Sequence, residues 1–285
     1  MKFVVIGGTG TLGKEVIRLL LKQNPLAEIV CLSRDEQKQQ ETRAQFPSVG
    51  FRIGDVRDRR AVRSALEGAH TVFHLAAIKH IDVAERNPLE AVKTNFLGTV
   101  NVAEEAKDLA VPYVVFSNTD KAVLPITTYG YTKALAQNYL LSLNGLTKTR
   151  FSAFNWGNIV ASRGSVIPIF ARRLDERKPI QITDQRMSRF WLKIETAASF
   201  MIGNYQNAHL DRAMIPPIKG AHVLRIAEAV ARLKGFDAFG FEIIGLRGTE
   251  KLYEVLESTH EGCLRSDTCE QYTDGELDEL IREAI

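Results

Sequence analysis

Cysteine is scarce, long hydrophobic runs are absent, and neither sign of charge dominates. Among 285 residues there are three cysteines, Cys31, Cys263 and Cys269, with no CxxC spacing. They cannot all pair with one another, so a disulfide framework is not expected and a reducing cytoplasmic location is. No apolar stretch nears the ~20 residues that span a bilayer, so no membrane association is expected. The chain runs at once into Lys2-Phe3-Val4-Val5-Ile6, which reads as a strand rather than a secretory signal. The 37 basic and 34 acidic residues leave a formal charge of +3, and the basic ones are scattered. That argues against a nucleic-acid partner. No His/Asp/Glu cluster has metal-ligand spacing, so no metal is expected, and His74 and His80 read as packing residues.

What is present suits an ordinary soluble chain, 45% hydrophobic and 25% charged. Short apolar runs at 2–6, 28–32, 51–53, 71–75 and 112–117 alternate with helical patterns near 12–23, 35–45, 58–67 and 88–109. Continuously apolar short strands suit a parallel sheet covered on both faces. The alternation predicts an α/β fold, a Rossmann-like doubly wound parallel sheet. A further helix is expected near 128–144 and a strand near 149–155. Beyond about 157 the pattern loosens, with clear helices only near 222–234 and 273–284. The expected division is 1–157, with part of the later chain returning to it, and a smaller C-terminal lobe at 158–285. Thr273-Asp274-Gly275-Glu276 has capping-box spacing.

The turn Gly7-Gly8-Thr9-Gly10-Thr11-Leu12-Gly13 follows the first strand and opens a helix. Glycines at 7, 10 and 13 allow a tight turn, close approach of backbone to a pyrophosphate, and close helix packing. The free N–H groups and the helix dipole would hold the anion. At the end of the second strand stand Ser33, Arg34 and Asp35. Arg34 would pair with a 2′-phosphate and Lys38 would add a second cation, which favours NADP. Asp35 leaves NAD open, and a solvated loop charge is the lesser alternative for Arg34. Asp55 and Val56 are placed for the adenine edge. Tyr129 and Lys133 are four apart and share one helical face. A cationic Lys133 would lower the Tyr129 phenol pKa from its usual ~10 and let it act as a base on a sugar hydroxyl.

With these motifs in place, the chain resembles the extended short-chain dehydrogenase/reductase family, and within it the soluble, 5-inverting UDP-N-acetylglucosamine 4,6-dehydratases of pseudaminic acid synthesis. The resembling pieces run almost end to end: GGTGTLG (7–13), SRDEQKQ (33–39), GDVRD (54–58), HLAAIKH (74–80), TNFLGT (94–99), TDKAVLPITTYGYTK (119–133), GNIVASRGSVIP (157–168), ITDQRMSRFW (182–191) and IGLRGTEKL (244–252). Asp120-Lys121 carries most weight, since the similar dTDP-glucose dehydratases have Asp-Glu there and epimerases have neither pair.

The resemblance implies a lyase that recycles NADP. Tyr129 takes the C4 hydroxyl proton as hydride leaves C4, a neutral Lys121 removes the C5 proton, and a protonated Asp120 gives a proton to the departing C6 hydroxyl. Hydride then returns to C6. Thr119 assists Tyr129, and Lys133 completes the catalytic set. It further implies Leu75, Ala76, Thr94 and Ile159 at the cofactor, and Lys79, Tyr129, Asn158, Val166, Thr183, Arg189, Arg247 and Glu250 at a UDP-sugar. A homo-oligomer, dimer or hexamer, is also implied. The family pattern Arg-Pro-Gly-Glu-Lys-Leu-His here reads Arg247-Gly248-Thr249-Glu250-Lys251-Leu252-Tyr253, and Asn118 replaces a serine. The longer relatives with membrane spans carry Met where Tyr129 stands. A nucleotide-sugar 4-epimerase, a dehydratase acting on another sugar, and an NADP-sensing regulator remain as alternatives.

Overall fold

The computed structural model describes residues 1–160, 165–259 and 262–285. Residues 162–164 of the Ser-Arg-Gly-Ser motif therefore lie outside the described residues. The first part of the chain runs β1 (Lys2–Ile6), α1 (Thr11–Gln23), β2 (Glu28–Ser33), α2 (Glu36–Gln45), β3 (Gly50–Ile53), α3 (Arg59–Leu66) and β4 (Thr71–His74). It continues through α4 (Ile81–Arg86), α5 (Pro88–Ala91), a π turn (Val92–Leu97), α6 (Gly98–Asp108), β5 (Tyr113–Ser117), a 3₁₀ turn (Asp120–Ala122), α7 (Thr128–Ser142) and β6 (Arg150–Phe154). The six strands form one parallel sheet in the order β3-β2-β1-β4-β5-β6. This is the doubly wound arrangement whose strand order reverses beside β1. Val4 lies between Val30 and Val72 in register, and both faces of these strands are buried, which is why the sequence shows runs instead of alternation. Phe116 and Phe151 are almost wholly buried in this core, and each contributes ~2–3 kcal/mol through burial.

The helix expected over 88–109 is broken into α5, the π turn and α6. Pro88 suits the start of α5, where no helical N–H is needed. The π turn accommodates one extra residue per turn and buries Thr94 and Asn95, two polar residues that a plain helical pattern would leave outside.

Contacts divide the chain into two compact units, Met1–Asn155 with Ala198–Met214, and Trp156–Ala197 with Ile215–Ile285. The second holds β7 (Asn158–Ile159), α8 (Val166–Asp175), β8 (Ile180–Ile182), β9 (Ser188–Leu192), β10 (Lys219–His222), α10 (Val223–Leu233), β11 (Phe241–Ile243), β12 (Val255–Thr259), β13 (Gly262–Arg265) and α11 (Asp274–Ile281). Helix α9 (Ile194–Asn204) starts in it and ends in the first unit. The returning segment is held to the large sheet by backbone. Met214 N–H donates to Ala153 C=O at 2.8 Å, and Asn155 N–H to Met214 C=O at 2.9 Å. Tyr205 meets Phe73 and Tyr113 edge-on.

In the second unit, Phe170, Trp191, Ile226, Val230 and Leu277 form a separate core. Its strands are two to five residues long and arranged as one three-stranded and two two-stranded sheets. Strands this short carry little periodicity, so the sequence does not announce them. At the start of α11 both halves of the Thr273/Glu276 capping box are made.

Candidate active site

The glycine turn is shaped by contacts that exclude a side chain. Gly7 has φ +83°, and a Cβ there would lie 2.8 Å from Ala76 N. A Cβ on Gly13 would lie 2.5 Å from Gly8 Cα, so the helix packs directly on the turn. Helix α1 starts from Gly10 with no side-chain cap and no acidic residue in its first turn. Its first N–H groups face an end suited to an anion. Thr9 is buried, and Thr11 and Leu12 are half-buried.

At the end of β2, Ser33 Oγ accepts from Gln39 Nε2 at 3.0 Å, while the Arg34 side chain stays 61% exposed and 3.6 Å from Asp55. Asp35 is engaged locally: it caps α2 through Lys38 N–H at 3.0 Å and pairs with Lys38 Nζ at 2.7 Å. Asp55 accepts three hydrogen bonds from Arg57. Burial works to raise its pKa, but those bonds and the charges of Arg57 and Arg34 hold the carboxyl below its usual range. Val56 is buried beneath it. Leu75 N–H donates to Ile6 C=O at 2.9 Å, which brings Leu75 and Ala76 to the glycine turn. Thr94 Oγ1 is buried with no hydrogen-bond partner among the described residues. A Cβ-free cradle at the carboxyl ends of β1 and β4, and an unsatisfied hydroxyl in the π turn, fit a dinucleotide.

The 3₁₀ turn after β5 and the first two turns of α7 carry the five expected catalytic side chains in one unit. Asp120 is fully buried. Its Oδ1 accepts from Thr119 Oγ1 at 2.9 Å and from Lys121 Nζ at 3.1 Å, and its Oδ2 has no hydrogen-bond partner among the described residues. Lys121 keeps 21% of its side chain exposed, so the couple is an inner acid and an outer amine. Tyr129 packs with Ala84 and Ala91 and makes a hydrogen bond with Thr119.

Burial pushes the Tyr129 phenol above its ordinary value, against the pull of Lys121 and Thr119. The expected lowering by Lys133 is thus not what the protein's own groups produce. Lys133 Nζ donates to Ser117 C=O at 2.7 Å and lies 3.8 Å over the Phe116 ring. Burial brings its pKa down to about 7. His74 is entirely buried and held by Thr99 at 2.9 Å, and burial followed by the Lys133 charge lowers it to about 3, so it is a neutral packing residue near pH 7. Asn118, the departure from the usual serine, donates to Gln137 Oε1 of α7 at 2.6 Å.

Lys79 is exposed on the segment after β4, in the first unit. Tyr129 is in the same unit, and the other expected substrate residues lie in the second. Asn158 and Ile159 form β7 and are half-buried, and Val166 opens α8. Thr183 Oγ1 donates to Met187 Sδ at 3.3 Å. Arg247 is exposed, with its N–H on Glu250 Oε2 at 3.1 Å. Arg189, expected at the UDP-sugar, is 7% exposed and internally engaged. It donates to Ser188 C=O at 2.6 Å and Leu252 C=O at 3.4 Å and pairs with Glu254 at 3.9 Å. At the position of the family histidine, Tyr253 receives the Arg265 guanidinium 3.7 Å from its ring centroid. Gln39 and Asn95 were not singled out in the sequence; only their burial reveals them. Among the described residues no group of three His, Cys, Asp or Glu could hold a metal ion, and no helix is long and apolar enough to cross a membrane.

Residues 3–274 match the model of a family described as polysaccharide biosynthesis protein. A UDP-N-acetylglucosamine 4,6-dehydratase (inverting) of Campylobacter jejuni is 36% identical over 92% of this chain and 78% of its own. A UDP-glucose 4-epimerase of Rickettsia bellii is 34% identical over 94% and 81%. The solved structure of Pen from Bacillus thuringiensis superposes with a TM-score of 0.91 at 32% identity, over 99% of this chain and 97% of that one. With its Rossmann-like sheet and Thr-Tyr-Lys set, the chain belongs to the polysaccharide biosynthesis protein family, among the extended short-chain dehydrogenase/reductase dehydratases and epimerases.

Proposed function

We propose that the protein is a nucleotide-sugar 4,6-dehydratase acting on UDP-N-acetylglucosamine, with C5 inversion, and that it serves pseudaminic acid synthesis. The observation that carries this reading is the Asp120–Lys121 couple beside Tyr129, since a 4-epimerase needs a base at O4 but no acid-amine pair for elimination. The dehydratase relative at 36% identity supports it. The first unit would bind the dinucleotide and the second the sugar nucleotide.

When bound, NADP supplies a reversible hydride acceptor. Gly7 to Gly13 would hold its pyrophosphate, Arg34 and Lys38 its 2′-phosphate, Asp55 its adenine, and Thr94 and Lys133 its nicotinamide side. The local commitment of Asp35 to Lys38, with Arg34 exposed, favours NADP over NAD. Tyr129 removes the O4 proton, with Thr119 bridging it to the Asp120 side. Lys121, the outer member of the couple, removes the C5 proton that the 4-keto group acidifies. Asp120, the buried member of the couple, protonates the departing C6 hydroxyl. One water is lost; with the C4 hydride returned to C6 and a proton returned to C5, the product would be a UDP-4-keto-6-deoxy sugar.

The epimerase relative favours a second reading, exchange of configuration at C4. Incubation with UDP-N-acetylglucosamine and mass spectrometry separates the two. Loss of one water with deuterium uptake at C5 in heavy water supports dehydration, whereas an isomer of unchanged mass replaces it with epimerisation. Exposed Leu97, Tyr131 and Leu135 support a homo-oligomer, which size-exclusion chromatography with light scattering tests.

A further inference from the structure

Helix α2 seats on the sheet through polar side chains. Its two buried residues are Gln39 and Thr42. Thr42 turns its hydroxyl back to the helix, donating to Lys38 C=O at 2.6 Å. Gln39 reaches outward. Its Nε2 donates to Ser33 C=O at 2.8 Å, to Ser33 Oγ at 3.0 Å and to Arg52 C=O at 2.8 Å. Ser33 ends β2 and Arg52 lies in β3, so one buried amide ties the helix to two neighbouring strands. Ser33 C=O also accepts from Gly54 N–H at 3.0 Å. A buried amide matched in this way costs little, whereas removing it leaves buried oxygens short of a donor.

Gln39 stands behind the residues expected at a 2′-phosphate. Arg34 and Asp35 alone separate Ser33 from the first residue of α2. Gln39 holds Ser33 on one side of this short turn, and on the other Asp35 caps α2 and pairs with Lys38, the neighbour of Gln39 in sequence. Arg34 keeps its charged end exposed between these two anchored residues. Because Ser33 Oγ accepts from Gln39, its own hydrogen is left for another acceptor. It meets the Cys31 sulfur, a weak one, and a phosphate oxygen would be much stronger.

We propose that Gln39 is a positioning residue for dinucleotide selection, holding Ser33 to β3 so that the Ser33 hydroxyl, Arg34 and Lys38 are set for a 2′-phosphate. This rests on the reading of those three residues as the NADP contacts. Gln39 acts through Ser33 and is not itself a phosphate ligand. Its effect therefore falls on the dinucleotide that carries the 2′-phosphate, since the glycine turn and Asp55 serve NADP and NAD alike.

The test is titration calorimetry of the full chain, freed of bound nucleotide, with NADP and with NAD. Gln39→Met keeps the length of the side chain but donates nothing. It is expected to weaken NADP about tenfold, the worth of one hydrogen bond, and NAD less than about twofold. Gln39→Ala opens room for water to reach the Arg52 carbonyl and is expected to show the same split, which keeps the test decisive if Gln39→Met does not fold. Ser33→Ala is expected to lose about as much as Gln39→Met. The double variant is expected to lose clearly less than the ~100-fold product of the two, because Gln39 works through Ser33. Equal weakening of both dinucleotides marks a purely structural role and overturns the proposal, as does undiminished NADP affinity or a fully multiplicative double variant. A wild type that binds NAD more tightly than NADP removes the NADP reading and the proposal with it. A wild type that prefers NADP, with the preference intact in both Gln39 variants, removes the positioning role alone.

Discussion

Gly130→Ala tests the geometry of the site with a single methyl group. Gly130 is in the first turn of α7, between Tyr129 and Lys133, and its missing Cβ faces the 3₁₀ turn that carries Asp120 and Lys121. A Cβ there would lie 2.3 Å from Lys121 O, 3.0 Å from Pro125 Cβ and 3.2 Å from Thr127 Oγ1. Relief to an ordinary contact needs the turn and the helix to part by about 1 Å. Alanine gains about 1 kcal/mol of helix propensity over glycine, and overpacking costs about 1–3 kcal/mol. The net loss of stability is therefore small, about 0–2 kcal/mol. Activity should suffer far more, because the displaced atoms are those that set the distance from the Asp120–Lys121 couple to Tyr129. We expect kcat to drop about 100-fold while the thermal transition stays near that of the wild type. Rate is followed by the mass-resolved loss of water, and folding by circular dichroism. A variant that folds normally and turns over within threefold of wild type would refute the claim that these two turns must touch to within an ångström.

Removing the exposed cation with Arg34→Ala should weaken NADP relative to NAD by about ten- to hundredfold, the worth of one charge-assisted phosphate contact; titration calorimetry with both dinucleotides measures the ratio. His74 sits buried and neutral with its pKa lowered from 6.5 to about 3. As pH falls below 6.5 the unfolded chain takes up a proton that the folded one refuses, so stability declines until about pH 3, by up to about 5 kcal/mol. Urea unfolding of His74→Asn should show a shallower decline over that window, and an equal slope would remove His74 as its cause. The Cys31 thiol, pushed up to about 12 by burial, should resist alkylation at pH 8 until the chain unfolds, whereas exposed Cys263 should react at once; peptide mapping reads both.

The first unit was readable because its signals are local. Val, Ile and Phe runs give β1, β4 and β5, Gly7 and Gly13 give the turn, and a spacing of four puts Tyr129 and Lys133 on one buried face of α7. The capping box at Thr273 is likewise complete within four residues. The second unit was readable only as helices, because strands such as Asn158–Ile159 and Phe241–Ile243 exist through their partners in β9 and β8. Arg189 illustrates the same limit in chemistry. The resemblance places it at a UDP-sugar, and the fold buries it against Ser188, Leu252 and Glu254.

Residue order alone determined the parallel sheet, its phosphate-binding turn and the shared helical face of Tyr129 and Lys133, since periodicity and spacing act between near neighbours, while Thr119, Asp120 and Lys121 were implied by the family resemblance. Tertiary structure decided that Lys133 titrates near neutrality against Ser117 C=O and the Phe116 ring, that the Tyr129 phenol is raised, and that Asn95 and Glu85 reach α7 from elsewhere in the chain. Desolvation and long-range hydrogen bonds depend on what packs around a group, and no local pattern encodes them.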